Sequence, residues 1–259
     1  MTEELERNGV TICTNSKVDK IIIEKGRVRG VEVLGKTITA KAVISNSGIT
    51  NTIQNLTDRD AYSAAFLEKA DKIRVNNSSC QVYFGIRKSE QIKDVGDLLF
   101  TSSAPEFDSN ELLDKHSNSK TFSIYYPKTR PGQNRYTIVA SMNSRFEDWA
   151  YLKEPNYQQE KQSMIDRTLI DLERYLPGVK EKIDWMEAAT PRTFNSYTLH
   201  TRGTSFGTKF EGLNISRSIF KEVSGLFHVG SVGIIMSGWL GAINYGVIVS
   251  NDVDSFLRS

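Results

Sequence analysis

Cysteine is scarce in this chain of 259 residues: Cys13 and Cys80 stand far apart, with no C-x-x-C pair and no histidine at ligand spacing. Neither a disulfide framework nor a zinc site is indicated, no metal is expected, and both thiols read as small core residues of a reducing compartment. An excess of charge is missing too, since 33 Lys and Arg face 31 Asp and Glu for a net charge of +2. With no basic field, patch or recognition motif, binding to nucleic acid is not expected. The opening MTEELERNGV is acidic where a secretory leader is basic and then apolar, so a cytoplasmic protein is expected. No Ser-His-Asp order suggests a hydrolase.

One stretch is nearly free of charge. GLFHVGSVGIIMSGWLGAINYGVIVSND, residues 225–252, holds no acid, lysine or arginine before its last residue. A membrane-spanning helix needs about 20 apolar residues, and this stretch is long enough. Its content argues otherwise. Gly225, Gly230, Gly233, Gly238, Gly241 and Gly246 interrupt it, and a continuous helix of that composition is poor. The whole chain is 39% hydrophobic and 25% charged, with a mean hydropathy of -0.38, the profile of a globular protein able to bury a sizeable core in one large or two interleaved domains.

Along the chain, residues 1–8 read as the last turns of a helix stopped at Gly9. VTICT at 10–14 alternates like a strand, and so do 17–24, 27–33 and 37–40, with turns at Lys25-Gly26 and Gly35-Lys36; a further short strand covers 42–45. Residues 50–73 read as helix. Strands return as SSCQVYFGI, KTFSIYYP and RYTIVASMN, the last two joined by TRPGQN as a hairpin. Residues 158–176 carry Met164, Leu169, Leu172 and Leu176 at helical spacing, and Pro177-Gly178 ends that helix. The pattern predicts an α+β fold, with a mixed-sheet module between segments of different character: 1–48, 49–200 and 201–259.

Three stretches carry a resemblance. NGVTICTNSKVDKIIIEKGRVRGVEVLGKTITAKAVISNSG is similar in order to the valine strand, turn, G-V, turn and V-I-S-N return of the phytoene desaturase-like flavoproteins, which include carotenoid isomerases and retinol saturases. ATPRTFNSYTLHTRGTSFG resembles their T-P-x-T segment and later G-x-x-(Y/F)-G. The uncharged stretch resembles their G-L-(F/Y)-x-x-G, loop and G-x-x-G-A-I-x-x-G, here Gly225-Leu226-Phe227, Gly230 and the run from Gly238 to Gly246. The resemblance covers essentially the whole chain and implies that it corresponds to the C-terminal part of such an enzyme. Residues 1–48 are then a β-meander of an incomplete FAD-binding domain, 49–200 a substrate domain, and 201–259 the returning strand-loop-helix of the flavin domain.

The resemblance also implies a cofactor, FAD. A buried strand over 226–229 precedes glycines that let backbone approach a bulky ligand, and a helix starting near Gly238 or Trp239 turns free N–H groups and its positive dipole end toward the flavin. Cofactor-binding residues are thus expected at Gly230, Ser231, Gly238, Trp239, Gly241, Ala242 and Ile243, with the backbone of Val18 meeting the adenine. Two departures stand out. No G-x-G turn occurs in the chain, so the pyrophosphate-holding half of the site has no counterpart here, and Ser231 replaces an acid that many relatives place against the ribityl chain. No catalytic residue is assigned. His200 and His228 flank the flavin motifs but read first as structural histidines, and His116 as an exposed loop residue. Phe84, Tyr125, Tyr126, Trp149, Phe194 and Tyr197 fit core packing and, alternatively, the lining of an apolar tunnel.

The function this implies is oxidoreduction at C–C or C=C bonds of an apolar isoprenoid or polyene: desaturation, saturation or isomerisation. The alternative is a silent module that binds an apolar ligand or partner and cannot hold FAD alone. The expected partners are an apolar small molecule and either a complementing N-terminal FAD-domain chain or a second copy, with contact at a membrane periphery.

Overall fold

Alternation and tight turns organise the start of the chain in the computed structural model, which describes residues 1–130, 132–233 and 236–259. A short helix α1 (Thr2–Arg7) is followed by the antiparallel meander β1 (Val18–Glu24), β2 (Arg27–Val33) and β3 (Lys36–Thr39). Lys25 with Gly26, and Leu34 with Gly35, take positive φ in pairs, the backbone of type I′ hairpins whose twist matches that of the strands. The second turn therefore sits one residue earlier than the sequence reading placed it. VTICT, expected as a strand, finds no partner among the described residues, and Val10 and Ile12 are exposed. Cys13 in the same segment is exposed rather than a core residue, whereas Cys80 is buried.

β4 (Val43–Ser45) leads into α2 (Ile49–Asn51), a wide turn over 52–56 and α3 (Ala64–Ala70). The continuous helix expected over 50–73 is broken. Asp58 is extended, and Ser63 starts a new helix by accepting the Phe66 N–H at 3.2 Å, the capping role that short polar side chains prefer to a helix interior.

The middle of the chain holds β5 (Ser78–Ile86), β6 (Leu98–Ser102), β7 (Ser119–Tyr125), β8 (Thr137–Ser144), α4 (Glu147–Ala150), α5 (Asn156–Tyr175), β9 (Ile183–Ala189) and α6 (Pro191–Thr198). Its strands form one antiparallel sheet in the order β6-β7-β8-β5-β9. β7 and β8 pair as expected; Pro131 of the TRPGQN segment lies outside the described residues. One face of the sheet is core, where Val82, Phe84, Phe122, Ile124 and Ile138 meet Met164, Ile165 and Leu172 of α5. Each such side chain contributes about 1.5–3 kcal/mol on burial. The chain closes with α7 (Phe210–Glu222), β10 (Leu226–His228) and α8 (Gly238–Arg258).

These elements make an α+β protein of two compact units, residues 1–74 with 208–259 and residues 75–207. The sequence reading began its middle segment at 49 and ended it at 200. Residues 49–74 fall in the first unit because Ile49, Ile53, Tyr62, Phe66 and Ala70 share a core with Ile215, Ile219, Leu226 and Phe227. In that unit β10 runs parallel to β4, with Leu226, Phe227 and His228 opposite Val43, Ile44 and Ser45.

Candidate functional site

In the first unit, all three residues of β10 are buried, and the chain leaves the strand through Gly230 at φ +105°. A Cβ there stands 2.5 Å from the Asn46 side-chain oxygen, so both the backbone angle and the space call for glycine. Ser231 follows, half-buried. α8 begins at Gly238, φ +72°, where nothing among the described residues lies within 4 Å of the place a Cβ would occupy. Ser237, at the N-cap, gives its hydroxyl to the Gly233 carbonyl at 2.7 Å and makes no cap hydrogen bond to the first turn. The first N–H groups of a helix lack intrahelical partners and carry the positive end of its dipole, so this turn can donate to an electron-rich ligand.

The expected cofactor residues fall in three places. Gly230 and Ser231 form the turn after β10, beside Asn46. Gly238, Trp239, Gly241, Ala242 and Ile243 share the first turns of α8, with Trp239 79% exposed, Ile243 41% exposed, and Gly241 and Ala242 half-buried. Val18 opens β1 opposite Val33, half-buried, on the separate meander.

A buried polar chain anchors this region. His228 Nε2 lies 2.7 Å from the Ser47 carbonyl, which can only accept, so Nε2 carries the proton. In the neutral ring Nδ1 then accepts from Ser216 Oγ at 2.7 Å, and that oxygen accepts from the Tyr245 hydroxyl at 2.7 Å. Burial pushes the Tyr245 hydroxyl above its ordinary pKa, against the lowering effect of the Ser216 bond, so it stays a proton donor. The chain ties α7, β10, α8 and the segment after β4 together. It makes His228 a satisfied structural histidine, the role that a lone histidine reads as first in the sequence.

In the second unit a cleft of about 820 Å³ opens on the face of the five-stranded sheet opposite α5. Gln81, Ser141 and Thr121 lie side by side in register across β5, β8 and β7, with Phe100 of β6 next in the row. Phe100, Leu112, Phe194 and Phe206 contribute the apolar part of the lining. His200 also lines the cleft, its Nδ1 3.4 Å from the Thr204 carbonyl. α6 beside it starts at Pro191 behind a capping box in which Thr190 and Thr193 satisfy each other's backbone N–H groups.

The six aromatic residues singled out in the sequence separate. Phe84, Tyr126 and Trp149 are core residues, and Trp149 Nε1 donates to Ser144 Oγ at 3.0 Å. Tyr125 is half-buried under the Arg130 guanidinium, Tyr197 is 87% exposed, and Phe194 lines the cleft. Asn46, Ser216, Tyr245 and the polar row Gln81, Ser141 and Thr121 escape sequence reading as site residues. The row has a signal, polar residues at alternate positions of three strands, but the register that aligns it is tertiary.

No family model matches the chain. It is 25% identical to an all-trans-retinol 13,14-reductase of Danio rerio over 92% of this chain and 45% of that protein. It is 26% identical to a neurosporene-forming phytoene desaturase of Rhodobacter capsulatus over 89% of this chain and 47% of that one. The chain thus spans about half the length of the curated relatives it matches. An oxidoreductase of Methanosarcina mazei shares the fold with a TM-score of 0.60 and 16% identity, over 97% of this chain and 52% of that one. Over most of its length the chain is thus similar in sequence to a retinol reductase and to a phytoene desaturase, and it shares its fold with a solved oxidoreductase.

Proposed function

We propose that this chain provides one side of a flavin site and the substrate cleft of an oxidoreductase acting on C–C or C=C bonds of an apolar isoprenoid or polyene. The observation that carries the reading is the start of α8: a helix turn beginning on a glycine, with nothing among the described residues within 4 Å of where its Cβ would stand, reached from a buried strand through Gly230. These residues fit a flat, bulky, electron-rich group. Gly230 and Ser231 approach the chain of the cofactor, Gly238, Trp239, Gly241, Ala242 and Ile243 face its ring, and the Val18 backbone meets the adenine. FAD supplies hydride acceptance and donation, which no side chain can provide. The first-turn N–H groups of α8 stabilise negative charge at the ring edge, and apolar neighbours exclude water and so strengthen that effect.

The outer side of α8 supports a further partner. Tyr245 and Val249 face the core, yet Trp239, Leu240, Ile243, Val247 and Ile248 are all at least 40% exposed. A helix apolar all round is normally buried, and no helix among the described residues is long and apolar enough to cross a membrane. The cover we infer is a βαβ-bearing FAD segment, which also brings the phosphate-binding turn that this sequence lacks. The reaction direction follows from the electron acceptor: one relative is named a reductase and another a desaturase. Contact with a membrane periphery suits a substrate that dissolves in lipid.

Ser231 and the lack of a G-x-G turn favour a second reading, a module that binds an apolar ligand or partner without holding flavin. The visible absorption spectrum of the chain, purified alone and with a co-expressed βαβ-bearing FAD segment, separates the two. Flavin absorption in the joint preparation supports the oxidoreductase; its absence there supports the silent module.

A further inference from the structure

We propose that the cleft on the five-stranded sheet selects an oxygenated ligand, an apolar chain bearing a hydroxyl or keto group, over a pure hydrocarbon of the same shape. This deepens the reading above and rests on that cleft being the substrate site.

The floor of the cleft is polar in a patterned way. Strand pairing sets Ser79 opposite Asn143, Gln81 opposite Ser141, and Ser141 opposite Thr121, all on the sheet face that turns away from α5. Their mutual bonds leave capacity unused. Gln81 Nε2 reaches Ser141 Oγ only at 3.4 Å, and the Gln81 carbonyl accepts from the Tyr83 hydroxyl. That leaves the Ser141 proton and the second Gln81 N–H free to donate, and neither the Thr121 hydroxyl nor the Asn143 amide has a side-chain partner among the described residues.

Phe100, at the end of the row, and Leu112, Phe194 and Phe206 supply the apolar lining, which suits a hydrocarbon chain. A ligand that fills about 820 Å³ strips water from the floor. Each donor or acceptor left dry weakens binding about five-fold or more, whereas a ligand oxygen placed over Gln81, Ser141 or Thr121 replaces the lost water. The solvated face of an antiparallel sheet is ordinarily polar, but here it is walled by aromatic side chains, which favours an amphipathic ligand over bulk water.

The test uses the full chain and two probes, all-trans-retinol and the same polyene lacking the hydroxyl, with binding followed by polyene fluorescence in wild type, Thr121→Val and Gln81→Leu. Thr121→Val keeps shape and suits a strand, so folding is retained, and circular dichroism checks it. The expected result is tighter binding of the alcohol in wild type, a loss of about three- to tenfold for the alcohol in the variants, and no loss for the hydrocarbon. If both probes bind wild type equally and respond alike to the substitutions, the cleft stands as a substrate site and selection by its polar floor is overturned. If neither probe binds, the inference falls together with the substrate-site reading.

Discussion

His228 and Ser216 share a buried 2.7 Å hydrogen bond between Nδ1 and Oγ, and through it β10 is fastened to α7 and, by way of Tyr245, to α8. The glycine turn leaves directly from this anchored strand, so the bond fixes where Gly230 and the start of α8 stand.

Removing the central link therefore costs more than removing an end. Ser216→Ala strands both the imidazole acceptor and the Tyr245 hydroxyl and is expected to lower stability by about 1–3 kcal/mol, whereas Tyr245→Phe leaves the Ser216–His228 bond in place and costs about 1 kcal/mol. Urea unfolding of both variants checks the order; equal losses would show that the chain is not organised around Ser216.

Gly230→Ala places a side chain at φ +105° and against the Asn46 oxygen. We expect a loss of about 1–3 kcal/mol from the backbone conformation alone. Combining it with Asn46→Ala relieves the steric contact and not the backbone strain, so the double variant recovers only part of the urea midpoint. Full recovery would place the whole cost in the Asn46 contact.

The two thiols behave differently. Burial pushes the Cys80 thiol up to about 12, while Cys13 is exposed. A thiol reagent at neutral pH is expected to modify Cys13 alone in the native protein and both residues in denaturant. An unfolded cysteine titrates at about 8.5, so the native state holds a proton that the unfolded state releases between about 8.5 and 12. Cys80 thus contributes stability that is complete below about pH 8.5 and declines as pH rises toward its folded value. Cys80→Ala should flatten that alkaline decline. Rapid native labelling of both thiols would contradict the burial.

Much of this architecture was legible in the sequence, for identifiable reasons. The meander shows because strand alternation and the Lys25-Gly26 turn are local signals, and the start of α8 shows through the resemblance of the run from Gly238 to Gly246 to G-x-x-G-A-I-x-x-G. β6 and β9 did not show. LLFTS is short, and β9 exposes Asp184, Trp185, Met186 and Glu187 in succession, without the period of two that marks a half-buried strand. VTICT has the period and lacks a strand partner among the described residues. The polar floor of the cleft and the His228 chain depend on register and on contacts between distant segments, which spacing along one chain does not encode.

Ser231 offers a gain-of-function prediction. A carboxylate at this position accepts stronger, charge-assisted hydrogen bonds from a ribityl hydroxyl than serine makes. In the joint preparation with a βαβ-bearing FAD segment, Ser231→Asp is expected to slow flavin loss on dilution several-fold, about 1 kcal/mol in affinity. An unchanged or faster loss would place Ser231 away from the cofactor.

The most direct test of the central claim is flavin content, measured by visible absorbance per protein, in that joint preparation with two α8 variants. Ala242→Glu adds bulk and negative charge in the first turns, where the ring edge is proposed to lie. Gly246→Ala lies farther along the same helix, with nothing within 4 Å of its added carbon, and should stabilise the helix by about 1 kcal/mol. The account predicts flavin in wild type and Gly246→Ala, and its loss in Ala242→Glu with the helical signal retained. Full flavin in Ala242→Glu, or none in the wild-type preparation, would contradict it.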